Sequence, residues 1–360
     1  MRNFLSLVLA FFIIMASVPV ISLFYKDEMI RKRDQYAAAA GTQAQSSTVQ
    51  AAGTAVQSGK EQSDSRRQTS AAAKETASPA AAKADKVRVL LHKDNRVVTV
   101  KTASYILCVM AKEIDIDSPE EALKAQAVCI YTFLLHSMQQ AQSANYDITD
   151  DPAHHQSFLS EKALKTFWGE AYEKNYRKLQ KIVDSVSGEY LSCEGKPILA
   201  AYHSSNAGMT ESAANYWGED YPYLQAKESI GDSLSRYYKT KVSFTPAKLK
   251  KALLTLKKKD FSFPKSPSDW IGACRTTPSQ TVETVDIAGV SLSGRELREA
   301  LGLKSSFFTV EYNGKQFLFT VSGYGHGVGM SQEGAKYMAS LGFTYQEILK
   351  HYYEGAVLDK

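Results

Sequence analysis

The chain has 360 residues, 44% of them hydrophobic, which is enough for two average domains or for one large domain with extensions. The formal net charge of +5 is mild and fits attraction to an anionic surface. No Lys/Arg-rich stretch is interleaved with aromatic residues, so nucleic acid is a poor candidate partner. The four cysteines form no C-x-x-C pair, which argues against a zinc knuckle or a redox motif. Cys108 and Cys129 lie in apolar stretches, and we expect both in the core.

The N-terminal region contains an uncharged apolar stretch from Phe4 to Phe24, about as long as a bilayer-spanning helix. It is either a signal peptide or an uncleaved anchor. The anchor is favoured, because the stretch exceeds the about 7–15 apolar residues of a signal peptide and no clear A-x-A site closes it. Lysines and arginines after the span would place the body in the cytoplasm by the positive-inside rule. We expect an extracytoplasmic body instead, because the chemistry implied by the later motifs requires an external substrate.

The composition divides the rest of the chain into a linker and a folded part. Residues 35–86 are rich in Ala, Ser and Gln and cannot bury enough apolar surface to offset their ordering entropy, so we expect a flexible tether. Alternating residues at 87–91 and valines at 97–100 predict two short strands. Helical and strand-like segments then mix without a regular βαβ order, which predicts an α+β fold. The expected organisation is a membrane anchor with a basic flank at 1–34, a linker at 35–86 and a single catalytic domain at 87–360.

A helix is predicted after Ser118, with clear signals at its N-terminus. Ser118 is a suitable N-cap, Pro119 occupies the first helical position, and Glu121 stands where a capping box requires it. The residues at helical spacing that mark its buried face are Leu123, Ala127, Ile130 and Leu134.

Glu113 precedes this helix and ends the apolar run from Tyr105 to Ala111. A carboxyl group held among apolar neighbours has a raised pKa, as a general acid needs near neutral pH. The alternative is a surface glutamate in a turn.

A second candidate segment runs from Tyr202 to Gly218. Small polar residues lie there between aromatic ones, with His203 and Glu211 close by, and such a loop suits sugar hydroxyls. An ordinary Gly/Asn turn is the alternative. No G-x-S-x-G motif places a serine on a strained turn, so the segment does not indicate a serine hydrolase.

A third segment, GYGHGVGMSQEGA, begins at Gly323 and has glycine at every second position up to Gly329. In an extended chain this leaves one face without side chains, so a backbone or a ligand can approach closely, while Tyr324, His326, Val328 and Met330 share the other face. The segment lacks the spacing of a dinucleotide fingerprint and the G-K-[ST] of a phosphate loop.

One short stretch contains potential metal ligands. Carboxylates and imidazoles there are able to hold zinc, but such clusters around a proline are more often solvated loops. We expect no metal and no cofactor, with zinc as the alternative. The residues concerned are Asp147, Asp150, Asp151, His154 and His155.

Several segments together resemble the family of stage II sporulation protein D and the amidase-enhancer proteins. They are EALKAQAV, HSSNAGMTES with YWG, LSGRELREALGLKSSFF, and GYGHGVGMSQEGAKYMA with ILKHYYEGAVL, in order over roughly residues 95 to 358. The resemblance implies a lytic transglycosylase that cleaves peptidoglycan glycan strands, preferably ones already stripped of stem peptides. It also implies action in forespore engulfment, with a cell-wall amidase and other membrane engulfment proteins as partners. The protein would then be a single-pass protein of the mother-cell membrane, with its catalytic domain facing the intermembrane space.

The resemblance implies that Glu113 is the catalytic acid. Tyr131 stands where relatives often carry an arginine, and Thr149 and His155 stand where some relatives carry zinc-binding cysteines. Two alternatives therefore remain: a wall-binding scaffold that stimulates an amidase without cutting, and a zinc-dependent wall hydrolase. The expected substrate-binding residues are Tyr131, His203, Ser204, Ser205, Asn206, Glu211, Tyr324, His326, Ser331 and Gln332.

Overall fold

The structure is a computed structural model, and it describes residues 30–31, 85–141, 145–152, 154–256 and 260–360. Residues Lys83–Lys360 form one compact unit. The predicted anchor helix at 4–24 and nearly all of the predicted linker lie outside the described residues. No helix in the described part of the chain combines the length and the apolar composition that a bilayer span requires.

Helices and several small sheets mix along the chain, in line with the expected α+β class. The helices are α1 (Thr102–Glu113), α2 (Glu120–Gln140), α3 (Glu161–Trp168), α4 (Tyr172–Ser185), α5 (Ala213–Trp217), α6 (Pro246–Leu253), α7 (Gly294–Leu301), α8 (Gln332–Ser340) and α9 (Tyr345–Tyr352). The strands are β1 (Lys86–Leu91), β2 (Arg96–Lys101), β3 (Ile148–Thr149), β4 (Tyr190–Cys193), β5 (Lys196–Pro197), β6 (Tyr202–His203), β7 (Thr240–Phe244), β8 (Ile271–Thr276), β9 (Val282–Ile287), β10 (Val290–Ser293), β11 (Phe308–Tyr312), β12 (Phe317–Val321), β13 (Met330–Ser331) and β14 (Val357–Asp359).

The first strands form an antiparallel hairpin, which confirms the prediction of two short strands. Val87 lies opposite Val100 and Val89 opposite Val98. Strand β3 adds to β1 in parallel, and α1 follows β2 without an intervening loop. The hairpin therefore fixes where α1 starts, and the length of α1 fixes where Glu113 lies.

Helix α2 is the centre of the larger core and packs against α1, α4, α8, α9 and β4. All residues of its predicted apolar face are buried, as expected. The predicted capping box is wrong. The Ser118 hydroxyl is buried without a hydrogen-bond partner among the described residues, and Glu121 accepts from Lys124 and from the backbone N–H of Tyr345 instead. The carbonyl of Pro119 accepts the first helical bond. Glu121 therefore caps the neighbouring helix α9 rather than its own.

A second hydrophobic core is formed by the part of the chain that runs from β7 to β12. Strand β12 pairs with β7 and β11, and β9 pairs with β8 and β10. Helix α7 begins with a capping box between Ser293 and Glu296 and ends at Gly302, which adopts the left-handed conformation. The largest buried residues of this core are Trp270, Phe308, Phe317 and Phe319.

The buried cysteines belong to the larger core, as predicted. Cys108 lies on α1 and Cys129 on α2, and both side chains are buried. The Cys129 thiol lies 3.4 Å from the Tyr353 hydroxyl. Burial raises the pKa of both thiols to about 12, so they are not nucleophiles near neutral pH.

Candidate active site

Glu113 is the last residue of α1, and its side chain is half-buried. The helix ends there because Ile114 adopts an extended conformation. The carboxyl group accepts a hydrogen bond from the backbone N–H of Ser157 at 3.0 Å. Burial raises the pKa of Glu113, whereas Ser157 and the charge of Lys112 act in the opposite direction with smaller effect. The protonated form is therefore favoured more than in an ordinary glutamate, as a general acid requires.

Two tyrosines lie within electrostatic range of this carboxyl group. The hydroxyls of Tyr105 and Tyr202 are buried and have no hydrogen-bond partner among the described residues. Their pKa values are raised first by burial and second by the negative charge of Glu113. Tyr105 also stacks on Phe158, with ring centroids 5.7 Å apart. Glu113 therefore lies in an aromatic environment whose hydroxyls stay protonated.

No motif or spacing in the sequence marks Tyr105, Tyr202 or Ser157 as a site residue. Tyr202 begins the second candidate segment, so its neighbours were a usable signal. Ser157 acts through its backbone N–H, a group that every residue except proline has, so its residue type could not indicate this role. Only the fold brings residues 157 and 202 within range of this carboxyl group, whereas Tyr105 lies on the same helix α1 as Glu113.

The second and third candidate segments lie side by side. Strand β6 pairs in parallel with β13, and Ser205 pairs with Tyr324. A Cβ on Gly329 would lie 2.0 Å from the carbonyl oxygen of Ala201, and one on Gly323 would lie 2.6 Å from the carbonyl oxygen of Ser205. The predicted close approach of a backbone at these glycines is confirmed.

The extended conformation predicted for the glycine-rich segment is wrong. All four alternating glycines have φ between 71° and 119°, so the chain turns at each of them and strand alternation does not apply. Tyr324 is consequently exposed, whereas Val328 and Met330 are fully buried. Glycine tolerates this conformation and leaves room for the 201–206 backbone at the same time.

The imidazoles of His203 and His326 face each other, with ring centroids 5.8 Å apart. His203 donates through Nδ1 to the carbonyl of Val328 and accepts at Nε2 from Asn206. Burial, followed by the His326 ring, lowers the pKa of His203 to about 3. Burial, followed by the charge of Arg298, lowers the pKa of His326 to about 4. Both rings are neutral near pH 7, so they orient neighbouring groups rather than donate protons.

Two aromatic side chains from α5 lie beside His326. The Trp217 ring centroid lies 5.3 Å from that of His326, and the Tyr216 centroid lies 6.1 Å away. Arg298 donates to the Tyr216 hydroxyl at 2.9 Å. Both aromatic side chains are half-exposed, which leaves ring surface for a sugar to stack on.

Glu211 is fully buried and holds loops together. Its carboxylate accepts from the backbone N–H of Ser212, from Asn215 and from the Thr277 hydroxyl, the last at 2.5 Å. Its backbone N–H donates to the carbonyl of Gly327. The carboxylate is thus occupied by protein donors.

Asp232 is a second fully buried carboxyl group, and no motif in the sequence marks it. It accepts from the backbone N–H of Asn206 at 2.9 Å, from the Ser331 hydroxyl at 2.6 Å and from the Ser229 hydroxyl at 2.5 Å. Burial raises its pKa to about 6. Asp232 therefore connects the second and third candidate segments through hydrogen bonds.

The remaining predicted site residues differ in their placement. Ser331 caps α8 and Gln332 donates to Gln126, and both are buried. Ser205 and Asn206 are buried as well, Ser204 is half-buried, and Tyr324 is 42% exposed. Tyr131 lies on α2 and is 6% exposed. Its pKa is raised first by burial and then by the charges of Tyr190 and Asp85.

The acidic and histidine-rich stretch near β3 is held by pairwise contacts. Asp147 pairs with Arg88 at 2.6 Å, and Asp150 lies 2.7 Å from the ring of His92. The ring of His155 accepts from the backbone N–H of Thr149. Within the described ranges, no group of three or more His, Cys, Asp or Glu side chains is placed to hold a metal ion.

Comparison with known proteins agrees with the motifs. Residues 91–192 match the family described as Stage II sporulation protein. The stage II sporulation protein D of Bacillus amyloliquefaciens is 36% identical over 268 residues, which cover 73% of this chain and 75% of the relative. The chain belongs to the stage II sporulation protein D family. The family member from Bacillus subtilis (strain 168) is 34% identical over 77% of this chain and 80% of its own. An amidase enhancer from the same organism is 28% identical over 66% of this chain and 38% of its own length.

The residues that match the family, 91–192, include both Glu113 and the Ser157 N–H that donates to it. Glu113 and Ser157 lie within residues 91–192, whereas the glycine-rich segment and Asp232 lie beyond it. The longer alignments extend the family likeness to about three quarters of this chain.

Proposed function

We propose that the chain is a peptidoglycan lytic transglycosylase that acts in forespore engulfment. The observation that carries the proposal is the half-buried Glu113 with its raised pKa. Membership of the stage II sporulation protein D family supports a role in sporulation and in remodelling of the cell wall.

Two carboxyl groups at the candidate segments, Glu211 and Asp232, are occupied by protein donors, which favours a transglycosylase over a glycosidase that hydrolyses its substrate. Such hydrolases generally use two carboxyl groups, one as acid and one as nucleophile or base. Glu211 and Asp232 are fully buried, and each accepts three hydrogen bonds from the protein. Neither is free to act as a second catalytic group.

A single acid is sufficient when the substrate supplies its own nucleophile. Glu113 donates its proton to the glycosidic oxygen as the bond from that oxygen to C1 of the muramyl residue breaks. The ionised Glu113 then takes the proton from the C6 hydroxyl of the same residue, whose oxygen bonds to C1. The products are a 1,6-anhydro-muramyl end and a free hydroxyl on the departing sugar, and the carboxyl group returns to its starting form.

The aromatic surroundings of Glu113 support this assignment. Tyr105, within electrostatic range of Glu113, is buried and stacks on the buried Phe158, and apolar surface near the acid helps to exclude the water that would otherwise hydrolyse the oxocarbenium-like centre. Tyr202 lies within electrostatic range of Glu113 and begins the segment that pairs with the glycine-rich segment, which supports a role of these two segments in positioning the strand.

The proposal includes a location and partners. We infer a membrane-anchored protein with an extracytoplasmic domain, since peptidoglycan is outside the cytoplasm. A cell-wall amidase that strips stem peptides is the expected partner, together with other membrane proteins of engulfment.

A second candidate function is stimulation of an amidase without cleavage. The chain is similar to a protein named amidase enhancer, which favours it. The resemblance also implies that Tyr131, which is nearly buried, replaces an arginine of the cleaving relatives.

Mass spectrometry of soluble products distinguishes the two functions. Peptide-free glycan strands are incubated with the protein and with the Glu113→Gln variant. Anhydro-ended fragments from the parent protein, reduced at least a hundredfold in the variant, are the expected result. Strand binding without fragments from either protein would favour the scaffold. Glu347→Gln, a change in the capping box at the start of α9, is the matched control and is expected to retain cleavage.

A further inference from the structure

Helix α6 and the residues around it concentrate the positive charge of the chain. Residues 239–256 contain five lysines and no aspartate, glutamate or arginine, so this short segment carries as much charge as the formal net charge of +5 of all 360 residues. Lys248, Lys250 and Lys251 lie on α6 and are exposed. Within the described ranges, no carboxylate forms an ion pair with any of these three side chains.

The exposed face of α6 also presents an apolar side chain. Leu249 and Leu253 are fully buried and hold α6 against the second core. Leu254 continues the helical conformation at the end of α6 and is 56% exposed. Helical spacing places Leu254 three residues after Lys251 and four after Lys250, on the same exposed face. A large apolar side chain therefore lies in water among unpaired lysines.

Aromatic side chains extend this surface beyond the helix. The Lys250 Nζ lies 4.8 Å from the ring centroid of Phe263, and the Phe263 ring stacks on that of Phe261 with centroids 5.6 Å apart. Both rings are half-buried. We define the basic–apolar patch as Lys248, Lys250, Lys251, Leu254, Phe261 and Phe263.

The combination of charge and exposed apolar surface distinguishes between anionic partners. A soluble anionic polymer would pair with the lysines and leave Leu254 in water. At a bilayer that contains anionic phospholipids, lysines lie at the headgroups while leucine and phenylalanine enter the boundary between headgroups and acyl chains. The patch therefore fits a lipid surface better than a dissolved polyanion.

The N-terminal part of the sequence favours the same partner. The predicted anchor at 4–24 would hold the chain in a bilayer, and the compact unit begins at Lys83. A flexible linker of about 50 residues, as predicted for 35–86, has an average end-to-end distance of roughly 40 Å. A domain tethered at this distance meets the bilayer often, so a weak patch is sufficient to settle which side faces it.

We propose that the basic–apolar patch docks the domain onto a bilayer that contains anionic phospholipids, with the lysines at the headgroups and Leu254 inserted beneath them. This inference rests on the membrane anchoring included in the proposed function. The patch belongs to the second core, whereas Glu113 ends α1 in the larger core. Docking therefore orients the domain without using a residue of the acid site.

Amine labelling of the full chain tests the docking. The chain is reconstituted into vesicles of phosphatidylcholine alone and into vesicles of equal parts phosphatidylcholine and phosphatidylglycerol. A membrane-impermeant reagent acetylates exposed lysines for short times, and mass spectrometry measures each site. Labelling of Lys250 and Lys251, relative to the exposed Lys315 between β11 and β12, should be about threefold slower in the anionic vesicles, and added salt should reduce the difference.

Three variants separate the apolar contribution from the charge. Leu254→Ser removes the inserted side chain and should restore at least half of the lost labelling at Lys250 and Lys251. Val357→Ser changes a side chain of similar exposure on β14, 59% against 56%, and should leave the protection intact. Lys248→Gln should weaken the protection, because it removes one charge from the patch.

Two results would overturn the inference. One is equal relative labelling of Lys250 and Lys251 in neutral and anionic vesicles. The other is protection that Leu254→Ser leaves unchanged and that soluble polyphosphate produces equally well in neutral vesicles, which would assign the lysines to an anionic polymer.

The outcomes also separate the docking from the proposed cleavage. Anhydro products from the parent protein without lipid-dependent protection would leave the transglycosylase standing and remove the docking surface. Protection that depends on Leu254 without anhydro products would do the reverse.

Discussion

Replacing Asp232 by asparagine is expected to change how the stability of the protein depends on pH. Burial raises the pKa of Asp232 from 3.8 to about 6. An acid whose pKa is raised by folding stabilises the native state fully below its unfolded pKa, and this contribution is lost as pH rises through the folded pKa. The window here therefore runs from about pH 4 to about pH 6.

The structure gives the size of the effect. At about 1.4 kcal/mol for each pKa unit, ionising Asp232 inside the fold costs roughly 3 kcal/mol, of which about 2 kcal/mol falls between pH 4 and pH 8. Asparagine is isosteric and does not titrate. Its oxygen can accept from the Asn206 N–H and from Ser331, while Ser229 turns to accept from the amide and to donate to the hydroxyl of Tyr352, 2.7 Å away.

Urea unfolding measured at several pH values is the assay. The free energy of unfolding of the parent protein minus that of Asp232→Asn should decrease by about 2 kcal/mol from pH 4 to pH 8. Asp232→Ala leaves the buried N–H of Asn206 without an acceptor, so near pH 5 it should be about 3 kcal/mol less stable than the parent. A constant difference between the parent and Asp232→Asn across this range would show that Asp232 is ionised throughout and would refute the reasoning.

Three further perturbations have defined outcomes. Gly329→Ala places a Cβ 2.0 Å from a backbone carbonyl oxygen, so the free energy of unfolding, measured by heat or urea, should decrease by more than about 3 kcal/mol. Gly355 has a similar φ but open space around it, so Gly355→Ala should lower the free energy of unfolding by only about 1 kcal/mol. Thr277→Val removes a buried donor to Glu211 and should cost about 2 kcal/mol, and a loss below 0.5 kcal/mol would show that this bond is dispensable. Cleavage should decrease on the alkaline side as Glu113 loses its proton, at a pH above the ordinary glutamate range because burial raises its pKa. An alkaline limb at the ordinary glutamate value would contradict that assignment.

Local patterns in the sequence predicted the elements that carry the acid. The hairpin of β1 and β2 follows from alternation, and the buried face of α2 follows from helical spacing. Glu113 could be selected because it ends an apolar run next to a helix start. The predicted capping box does not form, because Glu121 bonds to Tyr345, which is more than 200 residues away in the chain. A prediction from neighbouring residues cannot include this competing bond.

The roles of the polar loop residues depended on contacts between distant segments. Glu211, Ser331 and Gln332 look like ligands for sugar hydroxyls in the sequence, but their side chains are buried and bonded to the protein. The left-handed conformation at the alternating glycines also turned what resembles a strand into a series of turns. In both cases burial and backbone conformation, not residue type, decide whether a polar group meets substrate.

The sequence by itself determined the family, the two short strands, the core face of α2 and the close backbone approach at the glycines, because each depends on residues near one another or on a fixed motif. Only the tertiary structure decided that the Ser157 N–H donates to Glu113 and that Tyr202 lies within its electrostatic range, since both residues are distant from Glu113 in the chain. The pKa of a carboxyl group depends on everything that displaces water around it, and that surrounding exists only once the chain has folded.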